Sequence, residues 1–584
     1  MRKRFLILIL CLSLLLTGCI ISPDQVQDTP PEENTDPSEN IEVTPEPTIT
    51  SRPLSELPPA VSEPIYRSER SAGEVPEVDL KVLYLTVMTG DTEETNHTWT
   101  EINKYSAADY EKMGVDRYKV AGILREGTEN GVDISDEDGI SCTVSFRGQA
   151  SSKSKQKSYK IKLSGGTWMD QKVLNLNKHY PDSTRYLNKL AYDIIDEVPQ
   201  MIGLKTQFVR LYVKDLSQDT DPKTAQYVDY GLFTHVEQLN GRAIKRLGLE
   251  DEYSLYKING LEFWEYDDIK LMTDPEYDVT KFESRAENKG TTDNEKLLAL
   301  MDAVNNGYVS DQELLDYYVE KENVAYWMAF QILFDNVDNH CRNFYLYSPA
   351  STQKWYLIAW DNDGGFARLR MDISNQEFVP WRYGVHNYWS NGLFRNLLRT
   401  KDFREALIKA ATDLKENYMT KEHMRELLDL YEETVGYVIL GDADGKNFHK
   451  DIHEKLLTGI PDAIQRNYDI LIDSLNCPTP YFIGGPSYDP TTKEVYIGWN
   501  PSYDFEGRSI VYIVEISTDP SFENILYTTE VADTRITYTH EWGSGQFFVR
   551  ISAKNSDGYI MRALTTVHAD GFGDVYGSQT YTVE

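Results

Sequence analysis

An α+β fold with a small sheet-rich lobe, a larger helical lobe and a terminal all-β sandwich is predicted by three observations. Strand-like alternation, one amphipathic helix and further strands fill residues 80–236. Helical periodicity then dominates as far as Asn476. After the breaker Cys477-Pro478-Thr479-Pro480 only short strands with turn signals remain.

In the first lobe, residues 80–87, 141–146, 159–163, 207–213 and 230–236 read as strands, and LNKLAYDIIDEV over 187–198 as an amphipathic helix. Between the second and third strands runs Arg147-Gly148-Gln149-Ala150-Ser151-Ser152-Lys153-Ser154-Lys155-Gln156-Lys157. Such a small-residue, Ser-rich, basic loop can wrap a polyphosphate with N–H groups, hydroxyls and ammonium charges, or can be a solvated hairpin tip. Lys160 and Lys162 alternate with Tyr159, Ile161 and Leu163, which puts both ammonium groups on one face of the strand. Either could pair phosphates, as could Lys178. Neither a G-x-G-x-x-G nor a G-x-x-x-x-G-K-[ST] run is present.

The helical lobe is expected from residues 294–305, 310–334, 393–416 and 421–438. The aromatic cluster at 378–389 could face a substrate or simply pack. The run 441–447 lacks the full ligand set of a calcium loop and reads as a turn. Strands at 494–499, 510–517, 525–529, 535–538 and 546–553 suggest the sandwich.

Chemistry concentrates in residues 325–366, AYWMAFQILFDNVDNHCRNFYLYSPASTQKWYLIAWDNDGGF. A buried helix at 325–334 and strands at 344–348 and 355–360 leave Asp335, Asp338, Asn343, Asp361 and Asp363 at the ends of apolar runs. Asp and Asn are ordinary turn residues singly. Together, Asp338 five residues ahead of Asn343, then a strand pair, then Asp361 or Asp363 before Gly364 and Gly365, follow the order of a kinase catalytic loop and its second metal-binding Asp. Phosphoryl transfer needs one carboxylate to orient a hydroxyl and oxygen ligands to hold Mg²⁺.

The net charge of −34 argues against a nucleic-acid partner. Arg2-Lys3-Arg4, an apolar run at 5–16 and Leu16-Thr17-Gly18-Cys19 have the proportions of a signal peptide, too short for a membrane span. Residues 20–77 are rich in Pro, Glu, Asp, Ser and Thr and read as a disordered tether. Cys142, Cys341 and Cys477 are an odd, widely spaced set, so no disulfide framework is expected.

R-G-x-x-S-S ahead of K-S-Y-K-I-K-L, the LNKLAYDII helix, the F-V-R-L-Y-V and Y-G-L-F-x-x-V-E-Q pair, F-D-N-V-D-N-H-C-R-N-F-Y-L-Y and W-Y-L-I-A-W-D-N-D-G-G-F together resemble the CotH family of spore-coat-type secretory kinases. The resemblance covers about residues 80–476. It implies an atypical, two-lobed protein-kinase-like domain transferring the γ-phosphoryl group of ATP to Ser or Thr with Mg²⁺ or Mn²⁺. It implies Asp338 as the catalytic Asp and Asp361 as a metal ligand; Asn343 joins them by kinase spacing. Arg147, Ser151, Lys160 and Lys162 would face the phosphates, and Glu237 would lie at the hinge where adenine docks. Asp335 and Asp363 are expected to support the site, and His340 to be structural. The L-T-G-C ending resembles a bacterial lipobox, implying lipid attachment at Cys19 and an outward-facing anchor on the bacterial membrane. The last hundred residues resemble a fibronectin type III module.

The expected division is therefore a leader at 1–19, a tether at 20–77, the CotH-like domain at 78–476 and the sandwich at 477–584. The expected function is phosphorylation of secreted or envelope proteins, with a non-catalytic adhesin or scaffold as the alternative.

Overall fold

The computed structural model describes residues 68–132, 139–218, 221–376, 382–446 and 448–584. Cys19 with the whole leader, most of the tether, residues 378–381 of the aromatic cluster and Asn447 lie outside the described residues.

The first lobe is a closed barrel rather than an open sheet. Its strands are β1 (Leu80–Met88), β2 (Val120–Gly127), β3 (Ile140–Arg147), β4 (Ser158–Leu163), β5 (Val173–Asn177), β6 (Thr206–Asp215) and β7 (Val228–Glu237). The order round the barrel is β1-β2-β3-β4-β5-β7-β6, closed by parallel pairing of β1 with β6 that sets Leu80 opposite Phe208. Alternate residues point inward, so Leu83, Leu85, Val144, Ile161, Leu174 and Val209 fill the interior. Tyr159 and Leu163 share that core, while Lys160 and Lys162 stand on the outer face.

Residues assigned by composition to the tether already make contacts. Arg70 meets Glu197 at 3.3 Å, and the Gly73 amide donates to the Glu197 Oε2 at 2.8 Å. These polar contacts are joined by Val75, which packs against the main core, so the end of the tether is held although its overall composition does not reveal it.

The helix Leu187–Ile195 is buried along its whole length and leads from the barrel toward the second lobe. There β8 (Tyr253–Ile258), β9 (Ala286–Asn288), β10 (Phe344–Pro349) and β11 (Tyr356–Ala359) form a sheet in the order β11-β10-β8-β9. Helices Lys321–Leu333, Gly392–Arg399, Lys401–Asp413, Lys421–Ile439 and Lys450–Asn476 pack around it.

Two expected helices are broken. The run 310–334 is interrupted at Val319, whose extended backbone bridges Trp355 in parallel. The run 393–416 divides at Thr400, which ends one helix and caps the next by accepting from the Phe403 amide. Apolar periodicity continues through both breaks and so hides them.

Asp442–Gly445 closes a single helical turn and ties the lobes together. Lys178 lies 2.8 Å from Asp444, both fully buried, and donates to the carbonyls of Tyr230 and Leu232. Asp444 also accepts from the Leu232 amide at 2.8 Å. Gly231 adopts φ +77, and a Cβ there would sit 2.0 Å from Asp444 Oδ2.

After Asn476 the chain is all-β: β12 (Ser487–Asp489), β13 (Glu494–Gly498), β14 (Ile510–Ser517), β15 (Ile525–Val531), β16 (Arg535–Thr539), β17 (Gly545–Asn555), β18 (Ile560–Arg562), β19 (Thr566–Ala569), β20 (Gly573–Tyr576) and β21 (Ser578–Val583). A β12-β13-β16 sheet and a β15-β14-β17-β18 sheet, with β21 also on β17, enclose a shared core containing Val495, Ile497, Val514 and Val549. Cys142 and Cys341 are buried and Cys477 is half-buried, and none of the three is in a disulfide. Among the described residues no helix is long and apolar enough to cross a membrane.

Candidate active site

The β10–β11 hairpin carries the site. Its register sets Phe344 opposite Ala359, so Asn343, just before β10, and Asp361, just after β11, emerge at the same end. The helix Lys321–Leu333 ends nearby, its last carbonyl capped by Asn467 Nδ2 at 2.8 Å. The chain then turns through Asp335 into the short 3₁₀ turn Val337–Asn339 that holds Asp338.

Four non-glycine residues of this region, Asp335, Asn343, Asp361 and Phe366, have φ between 49° and 61°. Left-handed backbone at such residues persists only where the surroundings over-determine it, and it clusters at functional sites. A buried amide cluster supplies that constraint. Asn362 Oδ1 accepts from Gln331 at 3.1 Å and Asn336 at 3.4 Å, and the Asn362 amide donates to Asn188 at 3.2 Å.

Asn343 Nδ2 donates to Asp338 Oδ2 at 3.0 Å and to the Asp338 carbonyl at 3.1 Å. The amide group thus orients the carboxylate, and its own oxygen is the atom left for a cation. Burial pushes the Asp338 carboxyl up to about 6; Arg342 and Arg382 oppose the rise and the charge of Asp363 adds to it.

Asp361 is pushed up to about 6 by burial and then by Asp363, against Arg147, His179 and Lys257. Burial pushes Asp363 upward, but the bond to His179 Nδ1 at 3.0 Å together with the charges of His179, Arg370 and Arg147 outweighs it and leaves this carboxyl below its ordinary value. Asp361 and Asp363 repel one another, and with Asn343, which emerges at the same end of the hairpin, they offer oxygen donors of the kind Mg²⁺ or Mn²⁺ takes; a divalent cation there would relieve the repulsion.

Arg147 comes to this cluster from the end of β3. It bonds Asn177 Oδ1, lies 5.6 Å from the Trp360 ring centre, and counts Asp361 as its main charged neighbour while burial depresses its pKa. Burial, and then the charges of Lys289 and Arg147, lower the Lys160 ammonium. Ser151 lies in the 3₁₀ turn Ala150–Lys153 beside the left-handed Gly148. Lys162 is exposed opposite Thr143 and Val173. Glu237 is buried at the end of β7, where Arg246 at 2.5 Å, Gln171 at 3.0 Å and the Lys205 amide at 3.1 Å engage its carboxylate. The structure thus brings Asp338, Asn343, Asp361, Asp363 and Arg147 together, while Lys162 is exposed on the outer face of the barrel and Glu237 is engaged by Arg246, Gln171 and Lys205.

Asp335 Oδ2 accepts from the Arg368 amide at 2.6 Å and so caps the helix Ala367–Ile373; burial raises its carboxyl to about 6. His340 is held neutral, lowered to about 4 by burial and then by Arg382, with Nδ1 3.4 Å from the Val337 carbonyl. Beneath the loop, ligand atoms of Glu262, His340 and Cys341 lie within 4.8 Å of one another.

His179, Asn188, Lys257, Arg342 and Arg382 were not singled out from sequence. His179 reaches Asp363 across 184 positions and Asn188 is embedded in an apolar helix. The unusual presence of Asn and Asp on that helix's buried face was the available signal.

The family described as CotH kinase protein matches residues 144–476, more than half of the chain. The matched span begins within β3 and ends with the last long helix, enclosing every acid of the site. The chain is also similar to Inner spore coat protein H of Bacillus subtilis (strain 168), 23% identical over 309 residues that cover 51% of this chain and 77% of that protein. A family match over more than half of the chain, coinciding with the lobe that carries Asp338 and Asp361, identifies the protein as a member of the CotH kinase protein family.

Proposed function

We propose that the protein is an atypical protein kinase that transfers the γ-phosphoryl group of ATP to Ser or Thr hydroxyls. The observation that carries this reading is the Asp338–Asn343 bond at 3.0 Å beside the raised Asp361 and its neighbour Asp363. A non-catalytic module has no use for a carboxylate held and tuned in this way.

Asp338 orients the acceptor hydroxyl and takes its proton; a base near 6 is ionised at neutral pH yet still basic enough to accept it. Asn343, Asp361 and Asp363 would hold Mg²⁺ or Mn²⁺, which supplies charge neutralisation on the phosphates. Arg147, with Ser151 and Lys160 of the adjoining loop and strand, would face the polyphosphate. Lys178 spends its donors on Asp444 and two carbonyls and serves the fold instead.

The leader and Cys19 support export and a lipid anchor, so the acceptors would be secreted or envelope proteins, with the fibronectin-like C-terminal region as a surface module. The test is calorimetric titration with a non-hydrolysable ATP analogue with and without Mg²⁺ or Mn²⁺, followed by incubation with ATP and Ser/Thr-rich acceptors and mapping of phosphosites. Metal-dependent binding and Ser/Thr phosphorylation, lost in Asp338→Ala and Asp361→Ala, are expected. Absence of transfer across acceptors and metals would leave a scaffold.

A further inference from the structure

The segment Gly384–Asn391 touches the catalytic loop on one side and the C-terminal β region on the other. On the loop side, Tyr388 Oη donates to Asn339 Oδ1 at 2.8 Å, Asn387 Nδ2 to the Val337 carbonyl at 3.2 Å and Asn391 Nδ2 to the His340 carbonyl at 2.8 Å. These contacts bracket Asp338 from both sides in sequence.

On the opposite side, the Trp389 ring stacks on Tyr503 with centres 5.7 Å apart and meets Phe505 edge-on at 5.6 Å. The loop bearing these two rings is itself fixed. Tyr503 and Thr479 exchange two bonds of 2.8 Å, Asn555 Nδ2 donates to Asp504 at 2.9 Å, and Arg404 Nη2 donates to the Phe505 carbonyl at 2.9 Å. Arg382, two residues before Gly384, has both Asp338 and Tyr576 of β20 among its electrostatic neighbours.

We propose that Trp389 is a positioning residue through which the C-terminal β region, by way of Tyr503 and Phe505, holds the Gly384–Asn391 segment against the 337–340 loop and thereby sets Asp338. A side chain that merely fills an interface would affect folding alone. One that seats a strap bonded to Val337, Asn339 and His340 governs the orientation and hydration of the carboxylate between them. The β region is then a working part of the site rather than an appended module. The catalytic consequence rests on the kinase reading; the geometric one does not.

The test compares Trp389→Ala, Trp389→Phe and Tyr503→Leu in the full chain. In Trp389→Ala and Tyr503→Leu, kcat is expected to fall about tenfold or more while KM for ATP stays within twofold. Trp389→Phe, which keeps the ring, is expected to restore kcat. Backbone hydrogen exchange at residues 337–341 is expected to quicken in the first two variants and not in the third. Unchanged kcat and exchange in Tyr503→Leu, or losses that follow the unfolded fraction alone, would overturn the proposal. If Trp389→Ala does not fold, Tyr503→Leu decides, because Tyr503 is 38% exposed and lies outside both cores. If the wild-type protein transfers no phosphate, the kinase reading fails, and unchanged exchange in Tyr503→Leu would independently sink the positioning role.

Discussion

Burial raises the carboxyls of both Asp338 and Asp361, the charge of Asp363 adds to each, and the rise is measurable. Asp338 is lifted mainly by burial and tempered by two arginines; Asp361 is lifted by burial and then by a neighbouring acid. Transfer should therefore show an acidic limb near pH 6 rather than near 4, read from the pH dependence of kcat at saturating ATP and metal. Asp338→Asn should lower kcat by about 10²–10⁴-fold. For stability the sign is the reverse of a paired carboxylate. Because folding raises these values, the charged forms destabilise the native state above about pH 6, and stability returns as the pH falls from 6 toward the ordinary 3.8. Mg²⁺ or Mn²⁺ should accordingly raise Tm at pH 7, do so much less at pH 5, and have no such effect in Asp361→Asn. The metal-free Asp361→Asn protein should itself melt higher than wild type at pH 7, which calorimetry checks.

At the scale of elements, the hairpin of β10 and β11 brings Asn343 and Asp361, eighteen positions apart, to the same end, as the register of Phe344 with Ala359 requires. The lobes are held by a different device, the buried Lys178–Asp444 pair at 2.8 Å. Removing one partner of such a pair leaves an uncompensated buried charge, so Asp444→Ala should cost roughly 3–5 kcal/mol in denaturant unfolding. Gly231→Ala should also destabilise, since both its φ of +77 and the Asp444 oxygen oppose a Cβ. The acids were legible in the sequence because Asp and Asn at the ends of apolar runs break a local pattern. Their partners were not, because His179, Asn188 and Arg382 arrive from distant stretches where nothing local marks them. Barrel closure is likewise a long-range parallel pairing of β1 with β6, invisible to alternation within either strand. Helix breaks at Val319 and Thr400 were hidden for the opposite reason, since local apolar spacing continues across them.

For the whole molecule, the proposal of export rests on the lipobox-like leader, and a net charge of −34 would repel a phosphate backbone. The C-terminal strands add what the sequence does not suggest, a direct route from Tyr503 and Phe505 through Trp389 to the loop of Asp338. The boundary at Cys477 was readable from its prolines, whereas this contact joins rings more than a hundred residues apart and leaves no local trace. The central claim is that Asp338 and Asp361 form a metal-dependent phosphoryl-transfer site. It is tested most directly by the rate of γ-phosphoryl transfer from ATP to a Ser/Thr acceptor at saturating Mn²⁺, measured side by side for wild type, Asp338→Asn and Asp361→Asn. The account predicts transfer by the wild type that needs the metal and collapses in both variants; transfer that persists undiminished in either variant would contradict it.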